Sequence, residues 1–81
     1  MTSASDPVLP RVETVFRRVL AQPALVLRRD LSDLDINGWD SLSHVQIIVG
    51  IEREFGLTFR AGDVIGVRNV GELCDAVRAR L

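Results

Sequence analysis

The sequence predicts an all-α fold, a small four-helix bundle of three main helices and one short one. Three observations point there. Apolar residues recur at helical spacing in three separate stretches, capping residues stand at the ends of those stretches, and neither strand-like alternation nor an internal repeat occurs between them. The 81 residues make one domain, 1–81. A domain of this size buries only somewhat more than the roughly 60% of its surface expected near 60 residues, which argues against a large enclosed catalytic pocket.

Met1 to Ser5 is small and polar and is expected to be a flexible N-terminus. Asp6 and Pro7 read as the N-cap and first position of a helix. Val8, Val12, Val15, Phe16 and Val19 then share one face, giving a first helix that ends near Gln22. Pro10 removes a backbone donor at the fourth position, so the regular helix could begin one turn later. Pro23 stops it. From there to Asp40, turn formers (Asp30, Ser32, Asp33, Asp35, Asn37, Gly38) mix with Leu25, Val26, Leu27, Leu31, Leu34 and Ile36. This reads as a long ordered loop, pinned to a core by some of those side chains. Loops of this length are often functional. Whether it contains a helical turn is open.

Asp40 is a good N-cap, and no proline interrupts the fifteen or so residues from Ser41 to Phe55. At about 100° per residue, Ile47, Ile51, His44, Phe55 and Ile48 fall in one sector, the expected core face. Leu42, Val45 and Val49 make a second stripe beside Ser41 and Glu52. Either neighbours wrap this helix on most sides or the stripe is a docking face. Gly56 suits the position just past the helix end. Leu57 and Phe59 are expected to return to the core, and Gly62 to Gly66 allows only a short helical turn with Val64 and Ile65. Asn69 and Glu72 resemble a capping box with Asn in place of Ser or Thr. The last helix places Val70, Leu73, Cys74, Val77 and Leu81 on one face, with Arg78 and Arg80 near a C-terminus that suits cations.

Composition excludes several functions. An apolar fraction of 47% with 26% charged residues belongs to a chain that folds. Formal net charge is -1, and the ten basic residues are all Arg and scattered, so the basic stripe needed for nucleic acid is missing. No apolar run approaches the roughly 20 residues that span a bilayer, and the N-terminus lacks a signal core. No membrane role is expected, and placement is in the cytoplasm. Cys74 stands alone and there is one His, so neither a disulfide framework nor zinc spacing exists. Cys74 is expected to be a small buried hydrophobe.

Ser41 opens the most apolar helical stretch. In a first turn, unpaired N–H groups and the positive end of the helix dipole favour an attached anion. Ser41 and His44 are three apart and could be helix-surface neighbours. Nucleophilic catalysis would also need an orienting group, an oxyanion site and a glycine-rich elbow, none of which the sequence offers, so no catalytic residue is expected. His44 is instead expected at the edge of the core. By spacing alone, Ser41 is one more helix cap worth about 1 kcal/mol.

The block Gly38-Trp39-Asp40-Ser41-Leu42, followed by SHVQIIVGIEREFGLTF, resembles the phosphopantetheine-attachment region of acyl carrier proteins. That family's motif is Asp-Ser-Leu at the start of a long helix ending in Glu-x-x-Phe-Gly or similar. Here Asp40, Ser41 and Leu42 match, followed by Val45, Ile48, Glu52, Glu54, Phe55 and Gly56. The resemblance implies a non-catalytic carrier. A phosphopantetheinyl transferase, using coenzyme A and Mg²⁺, would join 4′-phosphopantetheine to Ser41 through a phosphodiester, and the arm's thiol would hold acyl groups as thioesters. Asp40 would help the transferase recognise the site. Leu42, Val45 and Val49 would form the apolar centre of a surface for acyl-loading and acyl-processing enzymes, with Gln46, Glu52 and Arg53 at its rim.

Ser43 and Gln46 stand where fatty-acid carriers commonly have acidic residues, and Arg53 adds a positive charge. Acidity lies instead before the site, at Asp30, Asp33, Asp35 and Asp40, so electrostatic steering should be weaker and partner choice different. The GWDSL form resembles freestanding carriers of polyketide or related specialised biosynthesis. A peptidyl or aminoacyl carrier is the alternative cargo class, and a cofactor-free helical adaptor docking through Leu42, Val45 and Val49 is the alternative from outside the family. The default oligomeric state is monomer.

Overall fold

A computed structural model describes residues 7–81, so the expected flexible segment 1–5 and the expected cap Asp6 lie outside the described residues. Among the described residues the order is α1 (Val8–Leu20), α2 (Ser41–Phe55), α3 (Ala61–Val64) and α4 (Val70–Arg80). An isolated antiparallel bridge pairs Ser32 with Asn69. No helix among them is long and apolar enough to cross a membrane.

α1 begins at Val8 behind Pro7, so Pro10 is its third residue and falls where no intrahelical partner for the N–H exists. It ends two residues before the expected Gln22. Ala21 takes a left-handed conformation (φ 54°), and the Ala21 and Gln22 N–H groups donate back to Arg18 and Arg17 carbonyls. Pro23 favours an extended residue before it and so enforces this early stop. Val8, Val12, Val15 and Phe16 are buried as one face.

α2 runs antiparallel to α1. Near one end Arg11 lies over the Phe55 ring at 4.3 Å and pairs with Glu54 at 3.0 Å. The expected core face shifts. Ile47 and Ile51 are fully buried, but Ser43 and Gly50 join them, while His44, Ile48 and Phe55 are only half-buried. Val45, Leu42 and Val49 stay exposed, so neighbours do not wrap α2 on that side. Gly56 closes the helix in a left-handed conformation.

The connection between α1 and α2 is ordered by two bonds to α1 and one between its own ends. Glu13 Oε2 accepts from Leu27 N–H (2.9 Å), Arg17 Nε donates to Leu25 O (2.7 Å) and Gln22 Nε2 donates to Asn37 O (2.6 Å). Of its apolar residues Leu27 and Ile36 are buried, whereas Val26 and Leu34 face solvent. Trp39 is buried as well, its ring meeting Phe16 edge-on at 5.0 Å. Leu31 and Arg29 carbonyls accept from Val70 and Gly71 N–H, which ties the same connection to the start of α4.

Beyond α2, Phe59 is buried and Leu57 partly so, and Val64 packs inward while Ile65 is exposed. Asn69 caps α4 through Glu72 N–H, but the expected box is half formed, because Glu72 Oε1 accepts from Arg68 N–H instead of returning to Asn69. Val70, Leu73, Cys74 and Val77 are buried, confirming Cys74 as a core residue. Leu81 departs from that expectation: it lies past the last helical residue and is exposed.

Candidate functional site

Ser41 is the first residue of α2, and the residues around it fix its backbone without using its hydroxyl. Gly38 turns the chain toward the helix at φ 86°, a conformation that disfavours a side chain. Asp40 Oδ1 accepts from Ser43 N–H at 2.9 Å, and Ser43 Oγ accepts from Asp40 N–H at 2.8 Å. This reciprocal pair is a capping box. Ser43 Oγ donates to Gly38 O at 2.7 Å, so the turn and the cap form one unit. The Ser43 N–H bond is the largest cause holding the Asp40 carboxyl below its usual range. Ser41 itself is exposed, and its hydroxyl bonds no described residue.

Trp39 anchors the site from beneath. Its Nε1–H donates to His44 Nδ1 at 3.1 Å, and the two rings stack with centroids 5.9 Å apart. Nδ1 accepts, so neutral His44 carries its proton on Nε2. Burial pushes this imidazole below its usual titration range, with Asp33 pulling weakly in the other direction. His44 has no carboxylate orienting it, and no group of three or more His, Cys, Asp or Glu able to hold a metal occurs among the described residues.

An open cleft of about 280 Å³ adjoins Ser41. Trp39, Ser41 and His44 line it from α2 and its approach, and Val67 and Arg68 from the segment before α4, with Asp33 and Asp40 contributing. Spacing connected only His44 to Ser41. Val67 and Arg68 arrive through tertiary packing and carry no local signal.

The expected partner face divides. Leu42, Val45 and Val49 are exposed at 72%, 59% and 41%. Val45, Gln46, Val49 and Arg53 line a groove against Arg18 and Val19 of α1. Glu52, expected at the rim, is half-buried, and its Oε2 accepts from Phe59 N–H at 2.8 Å. Its carboxylate is committed to the chain leaving α2, a pairing that a loop seven residues on makes invisible to helical spacing.

A family model described as a phosphopantetheine attachment site matches residues 10–77. Among solved structures, the chain is similar to the solution NMR structure of a holo acyl carrier protein from Geobacter metallireducens, with a TM-score of 0.83 and 37% identity, covering 93% of this chain and 86% of that one. No curated protein gives a significant match.

Proposed function

Because the chain belongs to the phosphopantetheine-attachment family, with the fold of an acyl carrier protein, we propose that Ser41 is its attachment point and that the whole chain acts as one monomeric carrier domain. The protein is a non-catalytic carrier. The observation that carries the assignment of Ser41 is its exposed, unbonded hydroxyl at the first position of α2, where Asp40 and Ser43 already do the capping.

The residues fit the group. The hydroxyl borders a cleft with room for the root of an arm, and the positive end of the α2 dipole favours an attached anion by about 0.3 to 1 kcal/mol at a surface. On attachment, Ser41 Oγ forms a new ester bond to phosphorus as the bond to the nucleotide half of coenzyme A breaks. The hydroxyl proton passes to a base on the transferase. Once bound, the arm supplies a thiol that holds acyl groups as thioesters. Asp40 and Ser43 keep the serine presented, and Trp39 keeps the preceding turn from moving.

The partners are a phosphopantetheinyl transferase and acyl-loading and acyl-processing enzymes, docking through Leu42, Val45 and Val49 with Gln46 and Arg53 at the rim. We place this carrier in polyketide or related specialised acyl biosynthesis in the cytoplasm. The weakly charged exposed face of α2 supports that, since Glu54 and Glu52 are bonded within the fold. Incubation with coenzyme A, Mg²⁺ and a broad-specificity transferase, followed by intact mass measurement, tests the attachment. Wild type should gain one phosphopantetheine and Ser41→Ala none; no gain in wild type, or equal gain in both, would sink the assignment.

A further inference from the structure

The cleft beside Ser41 contains two donors that the fold leaves unspent. Arg68 uses its backbone N–H to bind Glu72 Oε1, while its guanidinium meets no hydrogen-bond or ion-pair partner among the described residues. By contrast Arg11, Arg17, Arg28 and Arg80 all hold carboxylates. Across the cleft, His44 has its Nδ1 occupied by Trp39, which leaves Nε2–H as a donor on a ring that lines the same space as Ser41.

We infer that Arg68 and His44 receive the phosphodiester of an arm carried by Ser41, so that the arm leaves the serine toward the segment before α4 and not over Leu42. This rests on Ser41 being the attachment point. The phosphorus would sit one bond from Ser41 Oγ, and its two free oxygens share one negative charge. A planar guanidinium offers paired N–H donors that match such oxygens, and charge-assisted bonds of this kind are stronger than neutral ones. The charged groups facing His44 are Asp33 from the α1–α2 connection, Asp40 at the cap and Arg68. Asp40 is engaged by Ser43 N–H, and Asp33 opposes an incoming anion, so Arg68 is the cation that makes the cleft receptive. Arg18 and Arg53 line the separate groove of Val45 and Val49, and Arg11 is held by Glu54 near the far end of α2. An arm rooted on the cleft side leaves Leu42, Val45 and Val49 open for an enzyme while it is loaded.

The test compares apoprotein with holoprotein whose loading has been verified by intact mass. The His44 ring is titrated by NMR in both, and the phosphorus resonance of the diester is followed over the same pH range. The expected result is a His44 midpoint at higher pH in the holoprotein, with a matching inflection in the phosphorus signal, because a nearby anion favours the imidazolium. Arg68→Gln should change the size of this apo-to-holo difference and move the phosphorus signal, with thermal unfolding unchanged, whereas Leu42→Ala should leave both signals as in wild type. Identical His44 midpoints in apo and holo wild type overturn the inference. So does a difference abolished by Leu42→Ala and untouched by Arg68→Gln. A wild-type chain that never gains the arm sinks the assignment of Ser41 together with the inference; a loaded chain without the shift sinks the inference alone.

Discussion

Gly50 of α2 faces Val15 of α1 so closely that a Cβ on Gly50 would lie 2.7 Å from Val15 Cγ1. Val15 is fully buried and β-branched, so its methyl cannot swing away. Gly50→Ala should therefore destabilise the protein by about 1 to 2 kcal/mol, the overpacking cost exceeding the roughly 1 kcal/mol gained in helix propensity. Val15→Ala in the same chain should recover part of the loss. Urea unfolding of the two variants checks this, and a Gly50→Ala protein more stable than wild type would show that the helices can part cheaply.

The division of labour between neighbouring serines gives a second expectation. Ser41→Ala should leave stability within about 0.5 kcal/mol of wild type, as for an unbonded surface group. Ser43→Ala removes a buried hydroxyl that bonds both the cap and the turn, and should cost about 1 to 2 kcal/mol. Equal unfolding midpoints for the two variants would contradict the bonding pattern.

Stability should fall in two steps on acidification. His44 titrates below 6.5 in the folded chain because burial disfavours its charged form, so the unfolded chain binds the proton first and stability rises with pH in that window. Its contribution is complete above pH 6.5 and is lost as pH falls through 6.5 toward the lower folded midpoint. Asp35, Asp40 and Asp63 are held below 3.8, chiefly by the N–H groups of Ser32, Ser43 and Arg60, and their contribution is lost only below pH 3.8. Urea midpoints at stepped pH should show both, with His44→Gln lacking the upper step alone. Trp39 fluorescence of the folded chain should change at the lower, folded midpoint where that step ends, since protonated Nδ1 no longer accepts the indole N–H.

Val49→Asp places a carboxylate in the exposed stripe. Folding should stay cooperative with a change of about 0.5 kcal/mol or less, while the apparent KM of a transferase for this carrier rises about tenfold, as expected for a docking residue worth roughly 1.4 kcal/mol. Steady-state kinetics beside thermal unfolding separates the two. Loss of cooperative unfolding would make Val49 a core residue.

Local chemistry made the helices legible: Asp40 and Asn69 as caps, Gly56 as a stop and the apolar faces of α1 and α4 all follow from rules acting within a few residues. What stayed hidden depends on contact between distant segments. Trp39 carries only a motif in the sequence, but docking the α1–α2 connection onto Phe16 makes it core. Ser43 and Gly50 are buried although neither is apolar, because one closes a cap and the other admits a helix. Periodicity ranks side chains by polarity and so passes over both. The position of Ser41 at the start of α2 was legible, while the cleft beside it depends on Arg68 and Val67 folding back from beyond α3.

Trp39 and Ser43 are buried two residues before and two after the exposed Ser41. An arm carried by Ser41, as proposed, would thus be hinged on a fixed fulcrum. Its root would not drift, so the volume that a thioester sweeps would be set by the arm's own length, and an enzyme gripping α2 would meet the cargo at a constant distance from its grip.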